Sequence, residues 1–198
     1  MNIKLVLTSS DDEKNLDYKL KNDNDDEISS YSVEKQNASA LISYYTNPDF
    51  RNQGYASMGL NLLKSELFKS NHTLILELIN LSGDYSRKVA ENAGFFSPHN
   101  SIDYYVTLHP FAEEIVETSM QRFEKGTSEY ARMEKLLKRV RTLRKQQRAA
   151  QTQLVNKLNS LKVEAEAVDD ESYKKYLNDE ITHIERLLGN FKPIDIER

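Results

Sequence analysis

One stretch, residues 40–69, constrains the fold of this 198-residue chain more than any other. It begins with an apolar, strand-like run at residues 40–45 and breaks at Asn47-Pro48, because proline removes a backbone donor and turns the preceding residue away from helix. A loop containing Gly54 follows, and leucines and aromatic residues then recur three or four apart, as on the buried face of a helix. The first N–H groups of such a helix lack intrahelical partners and carry partial positive charge. The order of strand, glycine-containing loop and helix therefore predicts an anion site.

The loop Phe-Arg-Asn-Gln-Gly-Tyr-Ala at residues 50–56 resembles the phosphate loop of the GNAT superfamily of acetyl-CoA-dependent N-acyltransferases. That loop has Gln or Arg, two residues, Gly, one residue, and Gly or Ala, which Arg51, Gly54 and Ala56 match. After a predicted strand, residues 84–95 resemble the short helix of the family that ends in Gly-Phe. The two segments follow each other at the spacing of the family and together predict its fold.

The resemblance implies that the cofactor is acetyl-CoA, with its pyrophosphate on the N–H groups of residues 52–56 and its pantetheine arm along the end of the preceding strand. The residues that it assigns to cofactor binding are Tyr45, Thr46, Asn47, Arg51, Asn52, Gln53, Gly54, Tyr55, Ala56, Ser57 and Ser86. The alternative is an ordinary strand-to-helix turn that uses glycine for its freedom in φ.

The catalytic residues are not identified by the resemblance. Many relatives carry a tyrosine, five residues before the phenylalanine of Gly-Phe, that protonates the leaving thiolate, and Ala90 stands at that position here. Attack of an amine on a thioester needs mainly a deprotonated amine, proximity and polarisation of the carbonyl, so a weak acid or base can suffice. The candidates are Tyr45, Tyr85 and Tyr105 as acids and Glu77 as a base through water, and each can instead be a packing or edge residue.

The pattern of the whole chain predicts an α+β fold, in which a GNAT-like mixed sheet is followed by an all-α antiparallel, coiled-coil region. We expect strands at 1–8, 17–21, 28–33, 40–45, 73–79 and 102–108, with helices at 56–69 and from Ser82 or Asp84 to Gly94. The two helices that relatives have between their first and second strands are missing, since only residues 9–16 are available. These helices wall part of the acceptor site in relatives, so this chain either uses another wall or has lost transferase activity.

Residues 1–109 form the predicted acyltransferase domain, and residues 110–198 the helical domain. A first helix stops at Gly126, a second, capped by Thr127 or Ser128, runs to about Glu166, and a third follows residues 168–170. The second has a seam with spacings of three and four, namely Met133, Leu136, Val140, Leu143, Gln147, Ala150 and Leu154. Because the third helix reaches only the far half of the second, the near half needs the first helix or another molecule. This predicts self-association, most simply a dimer, or pairing with a heteromeric coiled-coil partner.

The segment from Arg132 to Arg148 is basic, with Glu134 as its single acid. On a helix it could neutralise phosphates or an acidic partner. A solvated helix exterior is favoured over nucleic-acid binding, because no aromatic residues are interleaved for base stacking.

The composition of the chain argues against a metal site and against a membrane span. It has no cysteine, its histidines (His72, His99, His109 and His183) have no metal-ligand spacing, and no apolar run approaches the roughly 20 residues of a membrane span. We therefore expect a cytoplasmic protein without a metal site. The leading hypothesis is an acetyl-CoA-dependent N-acetyltransferase acting on a primary amine. The alternative is a degenerate acyltransferase domain that serves as an interaction module through its helical tail.

Overall fold

The computed structural model describes residues 2–12, 14–79, 81, 83–98 and 101–191. Met1, the alternative cap Ser82, His99 and the last residues of the predicted helical domain, 192–198, lie outside these ranges. The strands are β1 (Lys4–Asp12), β2 (Asn15–Lys21), β3 (Glu27–Gln36), β4 (Ser39–Thr46), β5 (Ile75–Leu78) and β6 (Tyr105–Leu108). The helices are α1 (Tyr55–Phe68), α2 (Gly83–Asn92), α3 (Ala112–Met120), α4 (Ser128–Ala167) and α5 (Glu171–Asn190), with a short 3₁₀-helix at Pro48–Phe50. No helix among the described residues is long and apolar enough to span a bilayer.

The six strands form one mixed sheet in the order β1-β2-β3-β4-β5-β6. Neighbouring strands are antiparallel except for β4 and β5, which run parallel. In the stretch available for the early helices of the family, residues 9–12 belong to β1 and residues 15 and 16 to β2, with Asp12 opposite Asn15. The predicted GNAT-like sheet without early helices, followed by a helical region, is confirmed by this topology.

The first face of the sheet carries α1 and α2. On β4 and β5 it presents Ala40, Ile42, Leu76 and Leu78, all at most 1% exposed, to Leu60 and Leu63 of α1. Burial of each such side chain contributes about 1.5–3 kcal/mol. The near-continuous apolar character of β5, interrupted by Glu77, is explained by its position, because its other face is covered too.

The second face of β5 and β6 carries α3 and the first part of α4. Ile75 and Val106 are fully buried there against Leu137, Val140 and Leu143 of α4, together with Val116 of α3. The helices that follow residue 109 thus share a core with the sheet. The boundary at 109/110 and the separate helical domain stay predictions.

Part of the α4 seam predicted to be uncovered is covered within the chain by α3 and the sheet. Val140, Leu143 and Gln147 are buried as the seam predicts, whereas Leu137 is buried in addition and Met133 and Leu136 are only half-buried. This packing removes the physical reason for self-association at Val140 and Leu143 but leaves Met133 and Leu136 partly accessible. A dimer or a coiled-coil partner stays a prediction.

Helix α5 folds back along α4, and its end reaches α2. The predicted Thr127 cap is present, since its hydroxyl accepts from the N–H of Tyr130 at 3.2 Å. Asp170, at the end of the predicted turn, accepts from the N–H of Tyr173 at 2.9 Å and caps α5. At the far end, Asn190 donates its side-chain amide to the carbonyl of Asn92, at the end of α2, at 2.7 Å. The end of the chain's last described helix is therefore fixed against the end of α2.

Candidate functional site

The parallel strands β4 and β5 stop pairing before β4 ends. Their pairing stops at Ile42 and Leu78, whereas β4 continues to Thr46. Alternate residues of a strand direct their main-chain groups to opposite neighbours, and Asn47 donates its N–H to Ile28 of β3. The main-chain groups of Tyr44 and Thr46 therefore face the side of β5, along a cleft between the two strands.

The loop between β4 and α1 lies at the same end of the sheet. Asn52 has φ of 61° and Gly54 has φ of 83°, and two left-handed residues so close together turn the chain sharply into α1. A Cβ placed on Gly54 would meet nothing within 4 Å, so the space beside its backbone is open. Gly54 caps α1 without a side-chain hydrogen bond. The first N–H groups of α1 can therefore be approached by an anion.

Close packing fixes the position of α1 on the sheet. Gly59 faces the ring of Tyr31 on β3, and a Cβ at Gly59 would collide with the Tyr31 hydroxyl. The same hydroxyl donates to the carbonyl of Ala56 at 3.4 Å, and the Ser57 hydroxyl donates to the carbonyl of Val89 on α2 at 3.1 Å. These contacts hold the beginning of α1 against β3 and α2.

Asn52 and Arg51, both assigned to acetyl-CoA, have internal partners at the loop and at the end of β4. The N–H of Asn52 donates to the Tyr85 hydroxyl at 3.3 Å, so this hydroxyl lies where a phosphate oxygen is expected. Arg51 donates from Nε to the carbonyl of Thr46 at 3.1 Å and lies 5.7 Å from the centre of the Tyr45 ring. Arg51 therefore closes the end of the β4 edge.

The remaining assigned residues lie around this loop. Asn47 accepts from the N–H of Asp49 at 3.3 Å, and Gln53 donates its side-chain amide to the carbonyl of Asp49 at 3.1 Å. Tyr55 packs edge-on against Phe50, with ring centres 6.1 Å apart. The carbonyl of Ser86 accepts from the Tyr44 hydroxyl at 3.4 Å. The structure thus brings the predicted binding residues of β4, the loop and α2 together.

The four catalytic candidates are divided between different places. Tyr85 lies at the loop, and Tyr45 is 55% exposed at the end of β4. The Tyr105 hydroxyl donates to Glu91 of α2 at 3.2 Å, and its pKa is raised to about 12 by burial and by the Glu91 carboxylate. Glu77 is on the other face of the sheet, where it accepts from Tyr104 at 2.7 Å and pairs with Arg139 of α4 at 2.8 Å. Of the four, Tyr45 and Tyr85 border the cleft and loop.

Tyr44 was not among the predicted residues. Its side chain crosses from β4 to Ser86 of α2 and stacks against Tyr31 at 6.3 Å, and burial raises its pKa to about 12. It is neutral at physiological pH and can act only as a hydrogen-bond donor or acceptor. Its alternation with Ile42 could have placed it on the α2 side of the strand. Ala90, where relatives have a tyrosine, is fully buried.

The residues present fit the diphosphate and pantetheine parts of acetyl-CoA. The site offers a helix N-terminus, an open approach beside Gly54, and a strand edge that faces the cleft. Among the described residues, no three His, Asp or Glu side chains come close enough together to hold a metal ion.

Comparison with known proteins gives similarity among solved structures. No family model and no curated protein matches the chain. The ribosomal-protein-S5-alanine acetyltransferase from Vibrio fischeri is 12% identical, with a TM-score of 0.40 over 48% of this chain and 62% of that one. The spermidine N-acetyltransferase from Vibrio cholerae, solved with CoA and spermine, is 12% identical, with a TM-score of 0.40 over 48% and 66%. The ribosomal-protein-S18-alanine N-acetyltransferase from Escherichia coli is 14% identical, with a TM-score of 0.40 over 53% and 90%. The chain therefore spans less than two thirds of the first two of these proteins.

Proposed function

We propose that this chain is a cytoplasmic N-acetyltransferase that binds acetyl-CoA between β4 and β5 and transfers its acetyl group to a primary amine. The observation that carries the proposal is the parting of two parallel strands at the same end of the sheet where α1 begins. The cleft supplies a strand edge for amide-bearing ligand atoms, and the helix supplies N–H groups for an anion.

Acetyl-CoA, when bound, supplies a thioester whose carbonyl carbon is open to attack by an amine. In the proposal, the N–H groups of residues 52–56 hold the diphosphate, and Tyr85 releases the N–H of Asn52 to it. The main-chain groups of Tyr44 and Thr46 orient the pantetheine arm, and a strand N–H polarises the thioester carbonyl. Because Tyr44 stays neutral, it orients groups by hydrogen bonding without adding charge to the cleft.

Calorimetry with acetyl-CoA tests the binding step. The chain offers a matched pair of variants, because Asn52 and Asn37 are both exposed asparagines in left-handed turns, with φ of 61° and 55°. Asn52→Asp places a negative charge at the proposed diphosphate site and should weaken binding about tenfold, through repulsion of about 1.4 kcal/mol. Asn37→Asp makes the same chemical change at the other end of the sheet and should leave binding unchanged. Absence of binding at about 1 mM acetyl-CoA by the folded protein would contradict the proposal.

Release of free thiol in the presence of amines tests the transfer step. Spermidine, kanamycin and a peptide with an N-terminal alanine represent the amine classes named for the similar structures. We expect thiol release that depends on one of these amines and is reduced by Asn52→Asp. Tight binding of acetyl-CoA without transfer to any amine would favour the alternative, a degenerate domain that acts as an interaction module through its helices.

A further inference from the structure

A large groove lies on the second face of the sheet, at the end opposite the proposed acetyl-CoA site. It has a volume of about 890 Å³ and is bounded by α3, the first part of α4, and the loops before β4 and β5. Its lining includes Gln36 to Ser39 before and at the start of β4, and Leu74 before β5. Nothing in the proposed acetyl transfer uses this groove.

The floor and walls of the groove are largely apolar. Ile115 of α3 and Met133 and Leu136 of α4 are only half-buried there, and Phe123, in the α3–α4 connection, is 37% exposed. These side chains belong to the second-face core or border it, yet they retain accessible surface. Contiguous exposed apolar surface of this kind is typical of a binding site.

The rim of the groove is cationic. Its lining contains Arg122, Arg132, Lys135, Lys138 and Arg139, and no Asp or Glu among the described residues that line it. Arg139 pairs with Glu77, but the other four form no ion pair with a described carboxylate. A backbone hydrogen bond lowers the pKa of the Glu129 carboxyl and Arg132 lowers it further, so Arg122, Lys135 and Lys138 carry most of the unpaired positive charge beside the apolar surface.

The same helix is neutralised on its other side. Arg141 pairs with Glu117 of α3 at 2.6 Å, and Arg144 approaches Glu113 at 3.9 Å while donating to the carbonyls of His109 and Pro110. Ion pairs thus accompany the α3 contact, whereas Arg122, Lys135 and Lys138 along the groove form no ion pair with a described carboxylate. This difference along one helix points to an external anionic occupant.

The arrangement of the cations favours an extended occupant over a single head group. Arg132, Lys135 and Lys138 follow one another on successive turns of α4 and extend over about 9 Å at 1.5 Å per residue, while Arg122 comes from the other wall. A lone carboxylate can engage only part of this rim. A helix that carries carboxylates one turn apart beside an apolar stripe matches both the spacing and the floor.

We propose that this groove binds an acidic amphipathic helix of a partner protein. The apolar stripe of that helix lies on Met133, Leu136 and Phe123, and its carboxylates pair with Arg122, Lys135 and Lys138 and extend to Arg132. The second face of the sheet then serves recognition, while the cleft between β4 and β5 serves a separate function. Nucleic acid is the competing anion, and the groove offers it few aromatic rings for stacking.

Selection from a phage-displayed library of random helix-forming peptides tests the proposal with the full-length chain. We expect enriched peptides to carry apolar residues at i, i+3 or i+4, and i+7, flanked by Asp or Glu. The most enriched peptide, labelled with fluorescein, is then titrated and followed by fluorescence anisotropy. Lys135→Glu/Lys138→Glu should weaken its binding about tenfold, and added salt should weaken it further.

Two variants separate groove binding from general attraction. Phe123→Ser removes an exposed apolar contact and should weaken the peptide about threefold to tenfold without reversing a charge. Lys145→Glu reverses an exposed charge on the same basic segment outside the groove and should leave binding within about twofold. The proposal is overturned if selection yields no acidic amphipathic sequences, or if Lys145→Glu weakens binding as much as the double variant. It is equally overturned if an oligonucleotide of about 20 nucleotides binds the groove more tightly than the selected peptides.

Discussion

The two faces of the sheet are covered in different ways. On the first face, α1 lies so close to β3 that only glycine fits opposite Tyr31, and the Ser57 hydroxyl ties α1 to α2. On the second face, α3 and α4 cover β5 and β6 through larger apolar side chains and ion pairs, and they leave a groove of about 890 Å³.

This difference separates two kinds of candidate site. The first face positions a backbone site, because close packing fixes where the strand edge and the first N–H groups of α1 lie. The second face presents a side-chain site, because its helices leave cations and apolar groups accessible. The predictions below test each face in turn, from the largest expected effect to the smallest.

Val140→Asp should strongly destabilise the packing of α4 on the second face of the sheet. Val140 is fully buried between α4 and the sheet, and a carboxylate there would lose its hydration without gaining a partner. We expect a loss of at least about 4 kcal/mol in the free energy of unfolding, measured by urea denaturation. Val155→Asp, on the same helix but 41% exposed, should cost under about 0.5 kcal/mol. If Val140→Asp destabilised only the helical signal and left the tyrosine signal of the sheet unchanged, the shared core would be contradicted.

Gly59→Ala should destabilise the close packing of α1 on the first face of the sheet. The added Cβ collides with the Tyr31 hydroxyl, and the ring cannot move away because Tyr31 is 1% exposed. We expect a cost of about 1–3 kcal/mol from overpacking, although alanine is the better helix former. Gly189→Ala, in a helix where the new Cβ meets nothing within 4 Å, should instead stabilise by about 0.5–1 kcal/mol.

The double variant Tyr31→Phe/Gly59→Ala sharpens this test. Removing the hydroxyl relieves the nearest collision, so the second substitution should cost less than it does alone, as a double-mutant cycle would show. Equal costs in both backgrounds would contradict the close approach of α1 to β3.

Lys64, on α1, should make the free energy of unfolding depend on pH. Its ammonium is buried, donates to the carbonyl of Ala93 at 2.6 Å, and has its pKa lowered from 10.5 to about 8 by desolvation. The unfolded chain therefore holds a proton that the folded chain loses above about pH 8. Stability should rise with pH there, by roughly 1 kcal/mol between pH 7 and pH 9.

Lys64→Met should remove that rise in urea denaturation measured across the same pH range. Lys69→Met, which changes an exposed lysine paired with Glu66, should leave the rise in place. A wild-type stability that falls between pH 7 and pH 9, or a rise that survives in Lys64→Met, would show that Lys64 is not the titrating group.

Tyr85→Phe should have a smaller effect, on the affinity of the anion site for acetyl-CoA. It removes the hydroxyl that now accepts from the N–H of Asn52, so the N–H is free for a phosphate oxygen. Acetyl-CoA should bind about twofold to fivefold more tightly by calorimetry, because an internal hydrogen bond worth about 0.5–1 kcal/mol is no longer broken on binding. Tyr176→Phe, at an exposed tyrosine of α5, should have no effect. Weaker binding by Tyr85→Phe would mean that the hydroxyl helps to hold the cofactor.

Local sequence signals determined the elements and the location of the candidate site. The Asn47-Pro48 break, Gly54 and the leucines of α1 act within a few residues, so the strand, the loop and the helix could be predicted together. The alternation of Tyr104, Val106 and Leu108 in the sequence places all three on one face of a strand, and the structure has them together on the second face of the sheet. The Thr127 cap could be predicted because a cap bonds to an N–H three residues away.

Tertiary structure decided what each of those surfaces contacts. The periodicity of α4 showed an apolar stripe, but it could not show that the sheet would cover the stripe in place of a second chain. Glu77 and Arg139 lie 62 residues apart, and Asn92 and Asn190 lie 98 apart, so no local pattern relates them. The same holds for the Tyr85 hydroxyl on Asn52 and for the groove, whose cations and apolar floor come from separate segments. Such contacts depend on where the helices lie on the sheet. That position is determined by the packing of whole surfaces, which the spacing of residues in the sequence does not encode.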